Sequence, residues 1–416
     1  MKKNRKSIAI ILSTIIILLN FNVLIASTYE YPLNKKVSTK TDQSSLSVKA
    51  EAVIPEFNLQ SEAQILIEAT TGKVLYEHNA DEHLFPASVT KIMSLLLIME
   101  QIDSGKLKYT DTLTCSAYAS KMGGSQVWFK EGETLTIDDA LKCICVGSAN
   151  DVTMAMAELI GGTEQSFVKM MNDKAKALGM NNTLFDNPHG IDDDITIEQH
   201  YTSARDIAIM SRELLNKHPG IIKYTSIWMD SIRNGTFGLT NTNKLVRFYD
   251  GTIGLKTGST SKAGFNVSEV AKRNNTTFIA VIMKAPTSDI RNEEAKQLLN
   301  YAFANYEAKT IYTNETVIDS ININKNIDQK LDVKNNSDIS ILMNKGENIE
   351  TENQITYNDD LIAPIKKGDT IGKIVIINKS TSEEIANSNL IADKDIERSN
   401  LKEYYKYILK KFIMKI

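Results

Sequence analysis

The first pattern with chemical meaning is a serine followed three residues later by a lysine, Ser88 and Lys91. Positions i and i+3 lie on one face of a helix, so the two side chains should project together. A serine hydroxyl is a weak nucleophile until a neighbouring base accepts its proton. A lysine amine can be that base when it is neutral, a state that burial or a nearby positive charge favours. Alone the motif is weak evidence, because a capping serine and a solvated lysine have the same spacing.

Two further polar motifs follow along the chain. Ser148-Ala149-Asn150 is predicted in a turn just before a helix, where serine and asparagine are also common N-cap residues. Lys256-Thr257-Gly258 is predicted at the end of a short strand, where it also fits an ordinary exposed turn. Each motif is ambiguous alone. The ordered set S-x-x-K, S-x-N and K-T-G is the signature shared by penicillin-binding proteins and class A β-lactamases.

The elements around these motifs are predicted from hydrophobic periodicity. An early strand hairpin precedes a series of helices, and further strands follow, which indicates an α+β or mixed three-layer domain. The predicted strands are Ala63–Ala69, Val74–Asn79, Gly264–Ala271 and Thr277–Met283. The predicted helices are one after Pro86, one from Asp151 to Leu159, and those at Phe167–Leu178, Ser203–Leu215 and Asn292–Phe303.

The sequence resembles the low-molecular-mass penicillin-binding proteins, which are serine-type D-alanyl-D-alanine carboxypeptidases. The resemblance implies an α+β, β-lactamase/transpeptidase-like catalytic domain with an antiparallel sheet and helices, a small all-β domain and a C-terminal amphipathic helix. One departure is Ser259-Thr260-Ser261, where many members have a bulkier or charged residue. The segments that carry the resemblance are Phe85–Met93, Gly123–Ser125, Ser148–Asp151, Leu178–Met180, Asn187–Gly190, Thr257–Phe265 and Ala363–Asp369.

The resemblance also implies roles for individual residues. Ser88 would attack the carbonyl of the penultimate D-alanine of a peptidoglycan stem peptide, with Lys91 as the general base. β-Lactam antibiotics should acylate the same serine as inhibitors. Ser148 would relay the proton to the leaving amine and Asn150 would orient Lys91 and the substrate amide. For substrate binding, Lys256, Thr257 and Arg291 would meet the terminal carboxylate, and Gly258 completes the motif before Ser259, whose backbone N–H would join that of Ser88 in an oxyanion hole.

For Arg291 the alternative is an arginine at the start of a surface helix, which has the same local sequence. His189 could suggest a Ser–His pair, but S-x-x-K chemistry already has its base, so a structural role is expected. Cys143 and Cys145 are expected to be small buried residues, since positions two apart on a helix do not face each other.

Both ends of the chain differ from its centre. A basic start followed by the apolar run Ile8–Leu19 and small residues predicts a signal peptide at 1–26, with an uncleaved anchor as the alternative. Residues 27–57 are predicted to be a linker, 58–310 the catalytic domain and 311–392 the β domain. Residues 393–416 are predicted to form a basic amphipathic helix, which would lie on the membrane surface or dock on its own protein. The protein is therefore expected to be exported and peripheral on the outer face of the cytoplasmic membrane.

Composition excludes several other classes. Lys and Arg total 48 against 51 Asp and Glu, a net charge of −3, so no basic excess for nucleic acid is present. Three cysteines are too few for a disulfide framework. The histidines show no metal-binding spacing, and no glycine-rich phosphate loop precedes a helix in the required form, so no metal and no cofactor are predicted.

Three alternative functions remain open from the sequence. A class A-like β-lactamase shares the three motifs, but no E-x-x-L-N segment supplies its deacylating glutamate between the second and third motifs. A peptidoglycan endopeptidase would cleave a chemically similar bond. A non-catalytic wall-associated protein is disfavoured because every core motif residue is present.

Overall fold

The computed structural model describes residues 56–327 and 330–413. The predicted signal peptide lies outside the described residues, as does all but the end of the predicted linker. The chain divides into two compact units. Among the described residues, the first unit comprises 56–311 and Ser340–Ile349, and the second comprises the rest.

The strands and helices are as follows in chain order. The strands are β1 (Ala63–Glu68), β2 (Val74–His78), β3 (Thr112–Thr114), β4 (Thr134–Thr136), β5 (Met229–Ile232), β6 (Phe237–Thr240), β7 (Thr252–Thr260), β8 (Gly264–Arg273), β9 (Thr276–Ala285), β10 (Tyr306–Tyr312), β11 (Val317–Asn322), β12 (Lys330–Asn335), β13 (Ile339–Asn344), β14 (Thr351–Tyr357), β15 (Thr370–Asn378) and β16 (Glu384–Ala392). The α-helices are α1 (Lys91–Asp103), α2 (Ile137–Cys145), α3 (Asn150–Gly161), α4 (Glu164–Ala177), α5 (Ala204–Lys217), α6 (Ile222–Thr225), α7 (Leu245–Phe248), α8 (Ser288–Asn305) and α9 (Leu401–Ile413).

A five-stranded antiparallel sheet in the order β2-β1-β9-β8-β7 organises the first unit. The predicted early hairpin and the two predicted late strands are confirmed, and the β1–β9 pairing joins them, with Ala63 opposite Met283. This pairing leaves the intervening chain free to form helices. Pairing of β9 with β8 and of β8 with β7 places the strand that carries the K-T-G motif at one edge of the same sheet.

Both faces of this sheet are covered, which explains why its strands read as nearly continuous apolar runs. Ile65 and Ile279 pack in the larger core with helices α1, α3 and α5. Leu66 and Phe278, one residue along each strand, pack in a second core with Leu298 of α8. Successive side chains of a strand point to opposite faces, so each strand contributes to both cores. The predicted α+β architecture is confirmed.

The second unit is built on an antiparallel sheet in the order β11-β12-β16-β15-β14. Its core is formed by alternate strand residues such as Val333, Ile374 and Leu390, which are fully buried. The predicted small all-β domain is confirmed as a fold. Residues Ser340–Ile349, which contain most of β13, belong to the first unit.

Helix α9 presents apolar side chains to solvent. Leu401 is 86% exposed, Tyr405 67% and Ile408 45%. Their spacing of four and three residues places these side chains on one face of the helix, in line with the amphipathic helix predicted within 393–416. In residues 56–327 and 330–413, no helix combines the length and the apolar character needed to span a bilayer.

Candidate active site

Ser88 and Lys91 meet at the entrance to α1. Ser88 lies in a single 3-10 turn, Ala87–Thr90, and Lys91 is the first residue of α1. The two were predicted on the first turn of an α-helix; the 3-10 turn instead brings positions i and i+3 almost into line. A hydrogen bond of 2.8 Å joins Lys91 Nζ to Ser88 Oγ. The predicted pair of nucleophile and base is therefore brought together.

The turn that carries Ser88 is conformationally unusual. Ala87 has a φ of 48°, in the left-handed region that a residue with a Cβ adopts at a cost. Gly190 packs directly against it, because a Cβ on Gly190 would lie 1.8 Å from the Ala87 carbonyl oxygen. The segment Asn187–Gly190 thus forms one wall of the nucleophile turn.

Lys91 is buried, and no carboxylate of residues 56–327 and 330–413 lies within ion-pair distance of its amine. Its exposed fraction is 0%, and its second hydrogen bond, of 2.8 Å, goes from Nζ to the backbone oxygen of His189. Burial, followed by the positive charge of Lys256, lowers the pKa of Lys91 well below its ordinary value of 10.5, and Asp151 opposes the shift. A lysine in this setting is held in the neutral form that a general base requires.

The second and third motifs meet at Lys256. Lys256 Nζ donates a hydrogen bond of 2.9 Å to Ser148 Oγ and another of 2.9 Å to the Thr257 carbonyl. Burial lowers the pKa of Lys256 to about 7; Cys145 opposes this shift and the charge of Arg291 adds to it. The site thus holds two buried amines, and neither forms an ion pair with any described residue.

The K-T-G motif lies in the body of a strand. It was predicted at the end of a short strand, and this is wrong: β7 runs for nine residues, Thr252–Thr260, with Gly258 near its far end. A Cβ on Gly258 would lie 2.8 Å from the backbone nitrogens of Ser88 and Val89. Because only glycine allows this approach, the strand backs directly onto the nucleophile turn. Ser259 follows with an exposed side chain.

Asn150 and Ser148 flank the start of α3. Asn150 Nδ2 donates to the Gly123 carbonyl at 2.8 Å, and its backbone N–H donates to the Ser125 carbonyl at 2.7 Å. Asn150 Oδ1 is buried without a partner among the described residues. The predicted contact of Asn150 with Lys91 is absent from the hydrogen bonds of the described chain. Ser148 has a φ of 58°, a second non-glycine residue in the left-handed region.

Arg291 is buried in the first turn of α8, so the alternative of a surface arginine is wrong. Its guanidinium donates to Asn292 Oδ1 at 2.9 Å and to the Asn266 carbonyl at 3.4 Å. Burial lowers its pKa to about 10, against the attraction of Glu269. The structure shows no hydrogen bond from Arg291 to the other predicted site residues.

Thr257 and Asn266 complete the frame of the site. Thr257 Oγ1 donates to Thr242 Oγ1 at 2.8 Å. Asn266, opposite Gly258 in the sheet, donates from Nδ2 to the carbonyls of Phe85 and Pro86 at 2.8 and 3.1 Å. Sequence reasoning missed Asn266, because an asparagine within a strand carries no sign of which backbone it will meet.

Two further expectations concern side chains near the motifs. His189 is 6% exposed, and burial lowers its pKa to about 3, which is consistent with a neutral, structural ring. Cys143 and Cys145 are free and buried, as expected. Across the described part of the chain, no cluster of three or more His, Cys, Asp or Glu residues could hold a metal ion.

Comparison with known protein families assigns the chain. The model of the peptidase S11 family, D-alanyl-D-alanine carboxypeptidase, matches residues 48–287, and that of the C-terminal domain of penicillin-binding protein 5 matches 306–398. The D-alanyl-D-alanine carboxypeptidase DacF of Bacillus subtilis is 41% identical over 83% of this chain and 88% of its own length. The chain belongs to the S11 family of D-alanyl-D-alanine carboxypeptidases, and it is a serine hydrolase of that class.

Solved structures agree with this assignment. Penicillin-binding protein 5 from Haemophilus influenzae has a TM-score of 0.66 and 28% identity, covering 83% of this chain and all of that one. Penicillin-binding protein D2 from Listeria monocytogenes, solved in an ampicillin-bound form, has a TM-score of 0.55 and 27% identity over 60% of this chain and all of that one. The confirmed fold is therefore that of a penicillin-binding protein.

Proposed function

We propose that this carboxypeptidase releases the terminal D-alanine of peptidoglycan stem pentapeptides through an acyl-enzyme on Ser88. The observation that carries the proposal is the buried amine of Lys91, 2.8 Å from Ser88 Oγ and without a carboxylate partner at bonding distance. A neutral amine there accepts the hydroxyl proton as Oγ attacks the carbonyl of the penultimate D-alanine. An ester forms and the peptide C–N bond breaks.

The remaining motif residues act on the leaving group and the terminal carboxylate. Ser148, hydrogen-bonded to Lys256, relays to the amine of the departing D-alanine the proton that Lys91 accepted from Ser88, which returns Lys91 to its neutral form. Lys91 then accepts a proton from the water that attacks the ester, and that proton restores the Ser88 hydroxyl. Lys256 and Thr257 bind the carboxylate, whose negative charge raises the pKa of Lys256 again and keeps it protonated. Asn150 Oδ1, which has no hydrogen-bond partner among the described residues, accepts the N–H of the substrate amide.

The oxyanion that develops during the attack requires preorganised donors. The backbone N–H groups of Ser88 and Ser259 would serve, since Gly258 holds β7 against the nucleophile turn. Arg291 adds positive charge near Lys256. This charge would strengthen the attraction of the site for the terminal carboxylate. β-Lactams acylate Ser88 by the same route, as mimics of the dipeptide.

The experiment is mass spectrometry of a stem pentapeptide incubated with the purified enzyme. The expected product has lost one alanine, and Ser88→Ala should abolish both this loss and labelling by a fluorescent penicillin. Ser104→Ala at the end of α1 is the matched control and should retain both. Penicillin labelling of Ser88→Ala would remove Ser88 from the role of nucleophile. Rapid turnover of nitrocefin would favour the β-lactamase alternative.

We also propose that the enzyme is exported and held on the outer face of the cytoplasmic membrane by α9. The exposed Leu401, Tyr405 and Ile408 support this, because such an apolar face is suited to the membrane interface. The full chain should sediment with anionic vesicles, and Tyr405→Glu with Ile408→Glu should release it. Lys379→Glu in the β unit is a charge-changing control, and equal sedimentation of all three proteins would contradict the proposal.

A further inference from the structure

The imidazole of His200 contacts the nucleophile turn, although the proposed reaction does not use it. The side chain is fully buried, and its Nδ1 accepts the Asp186 backbone N–H at 2.9 Å. In a neutral imidazole one nitrogen accepts and the other carries the proton, so the proton of His200 is on Nε2. Nε2 lies 3.1 Å from Thr90 Oγ1 and therefore donates to that hydroxyl. The ring thus links the backbone at residue 186 to the turn Ala87–Thr90.

The surroundings of His200 keep this link in place. Burial lowers the pKa of His200 to about 4, so the ring is neutral near neutral pH. A neutral ring presents one donor and one acceptor in fixed directions, and both are used here. The Phe185 ring lies edge-on to the imidazole, with the ring centroids 6.0 Å apart. His200 is therefore a rigid bracket between two segments of backbone.

Thr90 is the receiving end of this bracket, and its hydroxyl has no part in capping the helix. Thr90 is the residue just before α1, where a threonine hydroxyl often accepts a backbone N–H of the first turn. Here it makes no such bond. Its side chain is fully buried, and a Cβ on Gly190 would lie 2.8 Å from Oγ1. The hydroxyl is thus confined between Gly190 and His200.

The turn that these contacts hold is the one that positions the nucleophile. Ala87 lies in the left-handed region, and such strain persists only where the surroundings fix the backbone. Asn266 fixes the entry to the turn through the carbonyls of Phe85 and Pro86. His200 contacts the turn at its other end, at the residue directly before Lys91. Ser88 lies between the two anchors.

We infer that His200 is a positioning residue, which fixes Thr90 and thereby holds Ser88 Oγ in line with Lys91 Nζ. The inference rests on the proposed function and adds to it a residue that does not touch the substrate. A displacement of about 1 Å at a reacting group can lower a rate about 10²-fold. Because other contacts also hold the turn, loss of the Thr90 bond should lower the acylation rate constant about tenfold. The Kd of the ligand should not change.

Two variants of His200 separate the two hydrogen bonds of the ring. An asparagine oxygen lies close to the position of Nδ1, so His200→Asn keeps the acceptor for Asp186 N–H and loses the donor to Thr90. A glutamine nitrogen reaches the position of Nε2, so His200→Gln does the converse. Stopped-flow acylation by penicillin gives the acylation rate constant and Kd separately. The rate constant should fall about tenfold in His200→Asn and be largely restored in His200→Gln.

A second pair of variants acts on Thr90. Thr90→Val removes the acceptor and keeps the shape of the side chain, so the acylation rate constant should fall as in His200→Asn. Thr90→Ser keeps the hydroxyl and should retain most of the rate. The double variant of His200→Asn and Thr90→Val should lose no more than either single variant, since both remove the same bond. If His200→Asn does not fold, the two Thr90 variants decide the question.

His218→Asn is the matched control, because His218 is also a buried imidazole and contacts Asp103 at the far end of α1. It should lower the melting temperature and leave the acylation rate constant unchanged. Equal rate constants in His200→Asn and His200→Gln, or equal ones in Thr90→Val and Thr90→Ser, would overturn the inference and leave the proposed function intact. Labelling of Ser88→Ala by penicillin would instead contradict the proposed function and remove the inference with it.

Discussion

Two neighbouring regions of the first unit differ in how deeply their ionisable side chains are buried. The amines of Lys91 and Lys256 are buried and have no carboxylate within ion-pair distance among the described residues. In the cleft of about 640 Å³ beside the active site, Glu164 is partly exposed, Asp186 and Asp193 are exposed, and none of the three forms an ion pair within the described part of the chain. Several surface charges of the same unit do form ion pairs, as Lys174 does with Glu100. Buried charges that lack partners cost stability. The terminal carboxylate of the proposed substrate would supply a partner for the amine of Lys256.

The difference in burial between these regions determines how strongly a substitution in each should change the enzyme. Burial shifts the pKa of Lys91 strongly, which changes its chemical role from cation to base. Solvent screens the acids of the cleft, so they can tune binding but contribute little to the rate of the chemical step. Substitutions should therefore have large effects on the chemistry in the first region and small effects on specificity and stability in the second.

The largest effect is expected for Lys91→Met, which keeps the volume and removes the base. The acylation rate with penicillin should fall at least about 10³-fold, since a general base contributes on this scale. The free energy of unfolding should not decrease, because a buried amine without a counter-ion is replaced by a thioether. Stopped-flow acylation and urea denaturation measure the two quantities. A folded variant that acylates at the wild-type rate would remove Lys91 from the role of base, and a lower free energy of unfolding would contradict the stability expectation.

Gly258→Ala should have the next largest effect. The new Cβ would lie 2.8 Å from backbone atoms on both sides of Ser88, so the nucleophile turn must shift relative to β7. A displacement of this size should lower kcat/KM about 10²-fold. Gly238→Ala is the control, because a Cβ there meets nothing within 4 Å. Equal D-alanine release by the two variants would contradict the proposed packing of the oxyanion hole.

Lys256→Met should change the pH dependence of acylation. Acylation requires neutral Lys91, so the rate is full above the pKa of Lys91 and declines as the pH falls through it. Lys256 is the second cause of the low pKa of Lys91, after burial. Removal of Lys256 should raise the pKa of Lys91 and move the acidic limb of the pH–rate profile to higher pH. It should also weaken the binding of peptides with a free carboxylate about tenfold or more. An acidic limb that stays in place would show that the two amines are not coupled.

The smallest effect is expected in the cleft. Asp186→Asn should stabilise the protein by about 0.3 kcal/mol at neutral pH by relieving repulsion with Glu164. Because the pKa of Glu164 is raised in the folded state, the gain should vanish as the pH falls and the acids become protonated. Asp173→Asn should instead destabilise by a similar amount, since Asp173 has a cationic partner. Thermal unfolding at neutral and at acidic pH measures the stabilisation by Asp186→Asn and the destabilisation by Asp173→Asn.

Much of the catalytic region was predictable because its signals are local. The spacing of Ser88 and Lys91 places them on one face of a helical turn, and the periodicity of β1 and β9 predicts their strands. The position of Lys256 within β7 was mistaken, because the glycines and threonines around it resemble a turn and only pairing with β8 extends the strand. The bounds of helix α2 were not predicted, although its N-cap Thr136 accepts from the Asp139 N–H as a capping residue should.

The cleft could not be predicted because its residues lie far apart in the sequence. Tyr118, Glu164 and Asp186 meet only after α3 and α4 have packed and the 186–195 segment has folded beside Lys91. The burial of Arg291 was likewise undetermined, since a helix-start arginine has the same sequence whether the helix covers the sheet or faces solvent. The functions of the predicted signal peptide and of α9 remain predictions.

The central claim is that Lys91 is neutral beside Ser88, and an NMR titration of the enzyme labelled with [ε-¹³C]lysine tests it directly. The Lys91 resonance is assigned by its absence from Lys91→Met. It should have the chemical shift of a neutral amine at mildly alkaline pH and titrate well below the ordinary value of 10.5. A resonance that stays in the ammonium position up to that pH would contradict the account.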